Sequence, residues 1–238
     1  MTSNWVLQKG WNENRVTLVH YALFAVIYSI YGRHICPILN SLHFGSVIGP
    51  AVVTLCAQWV LRAFLLNQVC PRTDICPLKL RFRVDFAAFL AAGIALSTFN
   101  RMYFNVPLEN VAKVFTAFVA LGFYITVDLA LRREREMARA AHREGSGVAL
   151  TKNFTPVTRK FLTFSIVNLA ILTTIVMLVT YKDLLYLGSK RGAGSDVFVA
   201  IFVELAFTVS VLSAYVARVV HQYSRTMNVG IAAKHAAL

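Results

Sequence analysis

Glu204 is the most conspicuous candidate for chemistry, because it lies about two helical turns inside the apolar segment Val197–Val220. A segment of that length can cross a membrane. Burying a carboxylate in a membrane costs free energy, so a carboxylate found there is by default a candidate functional residue. Glu204 could bind a proton or a cation. It could also form a structural ion pair with Arg101, Lys113 or Lys182, the basic residues expected at the same end of neighbouring segments.

Asp128 and Arg62 lie near the ends of two other apolar segments. They could pair with each other, or Asp128 could pair with Arg132, one helical turn further along the chain. Asp85 lies at the start of a third apolar segment. A carboxylate there is favoured by the helix dipole, which is a sufficient account of it.

Two histidines, His20 and His34, are 14 residues apart, close to four helical turns, so they share a face of the first apolar segment. That spacing can present two haem ligands, but a bis-histidine haem also needs ligands from a second helix. His221 could supply one such ligand opposite His20. The alternative is that these are ordinary interfacial histidines, and the sequence predicts no cofactor.

Known catalytic and metal-binding motifs are absent from the sequence. Cys70 and Cys76 have a spacing that matches no common zinc site, and no histidine lies near them. The sequence contains no G-x-x-x-x-G-K-[ST], H-E-x-x-H or G-x-S-x-G motif. We therefore predict neither a metal site nor a catalytic residue within these 238 residues.

The elements that carry these residues are apolar helices. The sequence is 57% hydrophobic and only 15% charged, with a mean hydropathy of +0.59, whereas soluble domains carry about 25% charged residues. Six segments are long enough to span a bilayer. Their approximate bounds are 16–32, 47–66, 84–104, 111–131, 161–181 and 197–220. The sequence predicts an all-α integral membrane bundle of six transmembrane helices.

The basic residues indicate the orientation of these helices. The chain has 24 Lys and Arg against 11 Asp and Glu. With a cytoplasmic N-terminus, 18 of the 24 basic residues fall on the cytoplasmic side, as the positive-inside rule requires. We therefore expect a multi-pass protein of a bacterial inner membrane with both termini in the cytoplasm.

The long fourth loop begins with LRREREMARAAHREG, a run of good helix formers with Arg132 and Glu136 at i,i+4. The fourth helix should therefore continue as a cytoplasmic stalk and break at Gly145-Ser146-Gly147. Anionic lipid headgroups attract such a basic segment by about 1 kcal/mol per residue. The stalk has no interleaved aromatic residues to stack on bases, so we expect no nucleic-acid partner.

The end of the chain has a near-heptad pattern that continues out of the last apolar segment. Its members, spaced 4-3-4-4-3-4, are Val216, Val220, Tyr223, Met227, Ile231, Lys234 and Leu238. We call Tyr223, Met227 and Ile231 the relay seam. It predicts a homodimer, and it divides the chain into a transmembrane domain (1–221) and a cytoplasmic helical tail (222–238).

Two stretches, VPLENVAKVFTAFVALGFYITVDLALRRERE and YVARVVHQYSRTMNVGIAAKHAAL, resemble the six-helix membrane region of bacterial HAMP-containing class III adenylate/guanylate cyclases. The resemblance implies an anchor or sensor followed by a HAMP relay and a cyclase domain. The second HAMP helix and the metal-binding aspartates of a cyclase have no match here. These residues would therefore form a nucleotide cyclase only if the natural product continues past Leu238.

Two functions of different classes fit these observations. In the first, the chain is a membrane sensor that passes a signal through its last helix to a cytoplasmic output. In the second, it is a non-catalytic accessory subunit of a larger membrane complex, which needs no dimeric tail.

Overall fold

The computed structural model describes residues 3–35, 39, 41–69, 78–143, 157–189 and 194–235. Within these ranges the regular structure is α-helical, and no strand occurs. The helices are α1 (Ser3–Ile35), α2 (Phe44–Val69), α3 (Leu78–Phe104), α4 (Leu108–Arg143), α5 (Val157–Ser189) and α6 (Gly194–His235). The predicted all-α class with six long helices is confirmed.

Each of the six helices contains a stretch apolar enough and long enough to cross a bilayer. These stretches are Arg15–Arg33, Phe44–Val69, Leu78–Phe104, Leu108–Met137, Lys160–Tyr181 and Ile201–Asn228. Most of them extend beyond the predicted spans, because residues that flank the apolar runs are also helical.

Two helices continue well past their apolar runs. The α4 helix reaches Arg143, so the first part of the predicted stalk is helical, and α6 reaches His235. The predicted break at Gly145-Ser146-Gly147 and the cysteines Cys70 and Cys76 lie outside the described residues. The α6 helix is continuous across residues 221 and 222, and the division into a membrane domain and a tail at that point stays a prediction.

The chain forms two compact units, Met1–Leu129 and Ala130–Leu238. Unit 1 contains α1, α2, α3 and the first part of α4. Unit 2 contains the rest of α4 together with α5 and α6. The boundary between the units therefore lies within a single continuous helix.

In unit 1, α1 packs antiparallel to α4. Phe24 and Phe118 are in ring contact, with centroids 4.4 Å apart, and His20, one turn earlier on α1, meets Asp128, which lies later on α4. The order of the contacts along α1 is thus the reverse of their order along α4. Aromatic pairs of this kind contribute about 0.5–1.5 kcal/mol beyond the area they bury.

Helix α1 runs parallel to α3. The rings of Tyr21 and Phe89 are 5.2 Å apart, and Tyr28, two turns further along α1, meets Asn100, three turns further along α3. Since α3 and α4 are joined by a short turn, the two directions agree. The turn contains Asn105, which has a positive φ of 50°, a conformation that asparagine tolerates better than most residues.

Two glycines allow α3 and α4 to approach closely. A Cβ atom added to Gly122 of α4 would lie 2.6 Å from the Cβ of Phe89, and one added to Gly93 of α3 would lie 2.8 Å from the Cβ of Phe118. Each glycine thus receives a phenylalanine of the opposite helix. Small residues serve this purpose in membrane helices, where packing has to replace the hydrophobic effect between helices.

We expect Gly122→Ala to destabilise unit 1 by about 1–3 kcal/mol, the usual cost of overpacking, because the added methyl meets the base of the Phe89 side chain. Thermal unfolding of the purified protein in detergent measures the effect as a lower Tm. Gly49→Ala is the matched control, because nothing lies within 4 Å of a Cβ atom added there. Equal Tm values for the two variants would show that the helices do not depend on this contact.

Candidate functional site

Two buried charged contacts join helices in unit 1. Nε2 of His20 on α1 lies 3.0 Å from Oδ2 of Asp128 on α4, and these side chains are 3% and 1% exposed. Nε of Arg62 on α2 donates to Oδ1 of Asp85 on α3 at 2.7 Å, again with exposures of 3% and 1%. We call these four residues the charge cluster.

The four residues lie at the same end of unit 1. His20 and Asp85 are in the first part of the apolar stretches of two parallel helices, and Asp128 is near the end of the apolar run of the antiparallel α4. Arg62, near the end of α2, reaches the same level through its contact with Asp85. The charge cluster therefore combines two carboxylates, one guanidinium and one imidazole in an apolar surround, where such pairs are screened far less than at a surface.

Two neutral hydrogen bonds extend the cluster along α1. Nε2 of Gln58 donates to the hydroxyl of Tyr21 at 3.0 Å, and Nδ2 of Asn100 donates to the hydroxyl of Tyr28 at 2.9 Å. Gln58 is one helical turn before Arg62, and Tyr21 follows His20. Thus α1 has a polar contact with each of α2, α3 and α4.

Asp128 and Arg62 each have a contact that was not proposed from the sequence, and the pairings proposed there stay predictions. The contacts found are His20 for Asp128 and Asp85 for Arg62. The explanation of Asp85 by the helix dipole is wrong, because α3 begins at Leu78, about two turns before this carboxylate. The contact between Arg62 and Asp85 had a signal in the sequence, because these opposite charges lie on either side of a single loop.

The other intramembrane candidates have varied surroundings. Glu204 is half-buried in α6, and Lys113 is buried in α4 with 5% exposure. Arg101 is exposed near the end of α3, where Nη1 donates to the carbonyl of Val106 at 3.0 Å. The pairing of Glu204 with one of these basic residues stays a prediction.

The histidines do not form a cluster of metal ligands. Within the part of the chain that the structure describes, no three His, Cys, Asp or Glu residues are grouped closely enough to hold a metal ion. His20 is engaged by Asp128, and His221 is exposed on α6. In the charge cluster, the contact of an imidazole with a carboxylate and that of a guanidinium with a carboxylate are the interactions that join the helices.

Unit 2 has a polar cluster of its own, where α6 leaves its apolar run. Nζ of Lys160 on α5 donates to Glu134 on α4 at 2.5 Å, and Nη1 of Arg135 on α4 donates to Oε1 of Gln222 on α6 at 2.7 Å. The hydroxyl of Thr226 lies 3.5 Å from the carbonyl of Leu131 on α4, while its closer acceptor is the carbonyl of Gln222 within α6, at 2.8 Å. We call the five residues whose side chains make these contacts the exit cluster. It connects α6 to α4, and α4 to α5.

The relay seam is partly covered by its own chain. The ring of Tyr223 contacts Phe161 and Phe164 of α5, with centroids 6.1 and 6.2 Å away. Met227 is 43% exposed. The side chain of Ile231 lies outside the described residues, although its backbone is helical.

Comparison with known proteins assigns the family. The family model named MASE10 matches residues 20–207, which include the whole charge cluster and Glu204. The chain belongs to the MASE10 family. Members of this family are membrane-associated sensor domains. With its six apolar helices, the chain is a multi-pass membrane protein.

A curated relative of this MASE10 protein is a cyclic di-GMP phosphodiesterase of Vibrio cholerae serotype O1, 22% identical over 213 residues. The match covers 87% of the chain and 42% of the relative, so the chain spans less than half the length of that protein. No solved structure matches.

These matches bear on the resemblance to class III cyclases. They support a bacterial membrane signalling protein, which confirms the coarser part of that resemblance. Neither match names a HAMP relay or a class III cyclase. The MASE10 match ends at residue 207, so Gln222, Thr226 and the relay seam lie beyond the matched residues.

We expect Arg62→Met to destabilise the MASE10 protein by about 3–5 kcal/mol, because removing one member of a buried ion pair leaves the other charge in an apolar surround. Adding Asp85→Leu should restore most of the loss, since an apolar pair can replace a buried ion pair. Both effects are measured as Tm in detergent. Arg83→Met, at an exposed arginine, is the control and should change Tm little. A double variant no more stable than Arg62→Met would contradict this account of the pair.

Proposed function

We propose that this chain is the membrane sensor of a bacterial cyclic di-GMP signalling protein, and that α6 carries its state to a cytoplasmic output. The observation that supports this proposal best is the continuity of α6, one 42-residue helix from Gly194 to His235. A continuous helix transmits rotation or translation along its axis, whereas a chain break after residue 220 would absorb it.

The exit cluster links α6 to α4, so that a movement of α4 would act on α6. Its contacts hold α6 through Gln222 and Thr226, both buried, and tie α4 to α5 through Glu134 and Lys160. The helix α4 contributes to both clusters, because Asp128 lies about two turns before Arg135 along the same helix. A displacement of α4 along its axis would therefore act on both sets of contacts.

The choice of output rests on the relative from Vibrio cholerae, whose name describes turnover of cyclic di-GMP. More than half of that protein lies outside the match and provides room for a catalytic region. A HAMP relay with a class III cyclase is the output implied by the earlier resemblance. It would use the same helix in the same way, but the name of the relative favours cyclic di-GMP.

The proposed stimulus site is at the opposite end from the output. With both termini in the cytoplasm of a bacterial inner membrane, Glu204 and the basic residues Arg101 and Lys113 fall near the outer ends of their helices. One pair among them would sense an external change or hold the helices in place. In the same orientation the basic stalk of α4 meets anionic headgroups at the inner leaflet.

A chimera tests the proposed signalling role. The chain replaces the matching segment of the Vibrio cholerae phosphodiesterase, and hydrolysis of cyclic di-GMP is measured in membranes. Gln222→Ala and Thr226→Val should each change the rate by about fivefold or more, the usual lower range of allosteric coupling. The control is Ser224→Ala, an exposed position on the same turn of α6. An active chimera with unchanged rates in both variants would overturn the relay and favour an accessory subunit.

The proposed orientation has its own test. Green fluorescent protein fused after Leu238 should fluoresce, because it folds in the cytoplasm, and alkaline phosphatase fused there should be inactive. Alkaline phosphatase inserted after Arg191, between α5 and α6, should be active, because that connection is expected outside. The reverse pattern would mean that the basic residues do not set the topology as the positive-inside rule states.

A further inference from the structure

The side chains of α6 form three faces. The first face packs against the rest of the chain. Its residues follow a heptad-like spacing and are 0–7% exposed. They are Leu212, Tyr215, Val219, Gln222 and Thr226. This face includes both α6 residues of the exit cluster, so its partners are within the same molecule.

A second face of α6 is apolar and open. Val209, Val220 and Met227 are 44%, 42% and 43% exposed, and Val216 between them is half-buried. Their spacing of 7, 4 and 7 residues keeps heptad register from residue 209 to residue 227, within the apolar stretch Ile201–Asn228. We call these four residues the open face. It includes Met227 of the relay seam and is displaced by one residue from the face that packs inside the chain.

The third face is basic. Arg218 lies two residues from both Val216 and Val220, so at 100° per residue it is about 160° away from each around the helix. Arg225 has the same relation to Met227. Both arginines and the intervening His221 are exposed. Arg218 and Arg225 are thus on the side of α6 opposite the open face.

We propose that the open face of α6 is the contact surface for a second copy of this chain, in a parallel pair with two-fold symmetry. Such a pair brings identical residues together, and with a net charge of +13 most polar surfaces of the chain would repel their own copy. The open face is uncharged, and its flanking residues Ala217 and Ser224 are uncharged too.

The register and the extent of the face favour a helix over lipid as the occupant. A heptad repeat is the pattern that a second helix requires, since knobs from one helix fill holes in the other, whereas lipid imposes no such period. Met227 is at the end of the apolar stretch Ile201–Asn228, directly after the polar residues HQYSRT, where lipid covers a helix less than at the centre of the stretch. The inference does not depend on which output follows α6.

Disulfide cross-linking in membranes from cells expressing the full chain tests the pair. The four native cysteines are replaced by serine, and single cysteines are placed at Val220 or Met227 and, as matched controls, at Arg218 or Arg225. Oxidation should give a covalent dimer of this chain for Val220→Cys and Met227→Cys and leave the two arginine positions monomeric. Equal dimer yields at all four positions, or a cross-link to a different protein, would overturn the proposal.

A second variant separates loss of the interface from loss of folding. In the Val220→Cys background, Met227→Glu places two carboxylates opposite each other in the pair and should remove most of the cross-link. Arg225→Glu, on the basic face, should leave it unchanged. Both substitutions are at exposed positions, and Tm in detergent reports whether each variant folds. A folded Met227→Glu variant that still cross-links through Val220→Cys would refute this interface.

Discussion

Helices in an apolar surround cannot be held together by hydrophobic burial, because lipid is as apolar as the side chains it would release. The arrangement of unit 1 depends on meeting that constraint in two other ways. Gly93 and Gly122 let α3 and α4 approach closely enough for the phenylalanines of one helix to fill the space left on the other. Charged contacts such as Arg62–Asp85 also join particular helices, because separating the pair would leave each charge in an apolar surround.

The fold class was predictable from the sequence because the length of an apolar run is a local property. The partners of the charged residues were not, since several pairings satisfy the same charges. Asp128 had Arg62 and Arg132 as plausible partners, and the contact found is with His20, a residue treated as a haem ligand or an interfacial side chain. The direction and rotation of each helix select the partner, and no single segment encodes them.

The pattern at the end of α6 shows the same limit on a smaller scale. The spacing of Val216, Val220, Tyr223 and Met227 was readable in the sequence. A second heptad pattern, displaced by one residue, contains Tyr215, Val219 and Gln222 and turned out to face the rest of the chain. Periodicity in the sequence identifies a stripe of residues on one side of a helix, but it does not identify what packs against that stripe. Burial on α4 and α5 decides between the two stripes, and it depends on residues distant in sequence.

Both stripes are on one continuous helix, and this has a mechanical consequence for any sensor built this way. The two faces are about 100° apart, so a rotation of α6 that improves contacts on one must change contacts on the other. Gln222 and Thr226 hold the inner face by hydrogen bonds, which depend steeply on distance and angle. Val220 and Met227 offer only apolar contact, which changes gradually. A rotation of α6 would therefore break the hydrogen bonds of the inner face before it removed the apolar contacts of the open face.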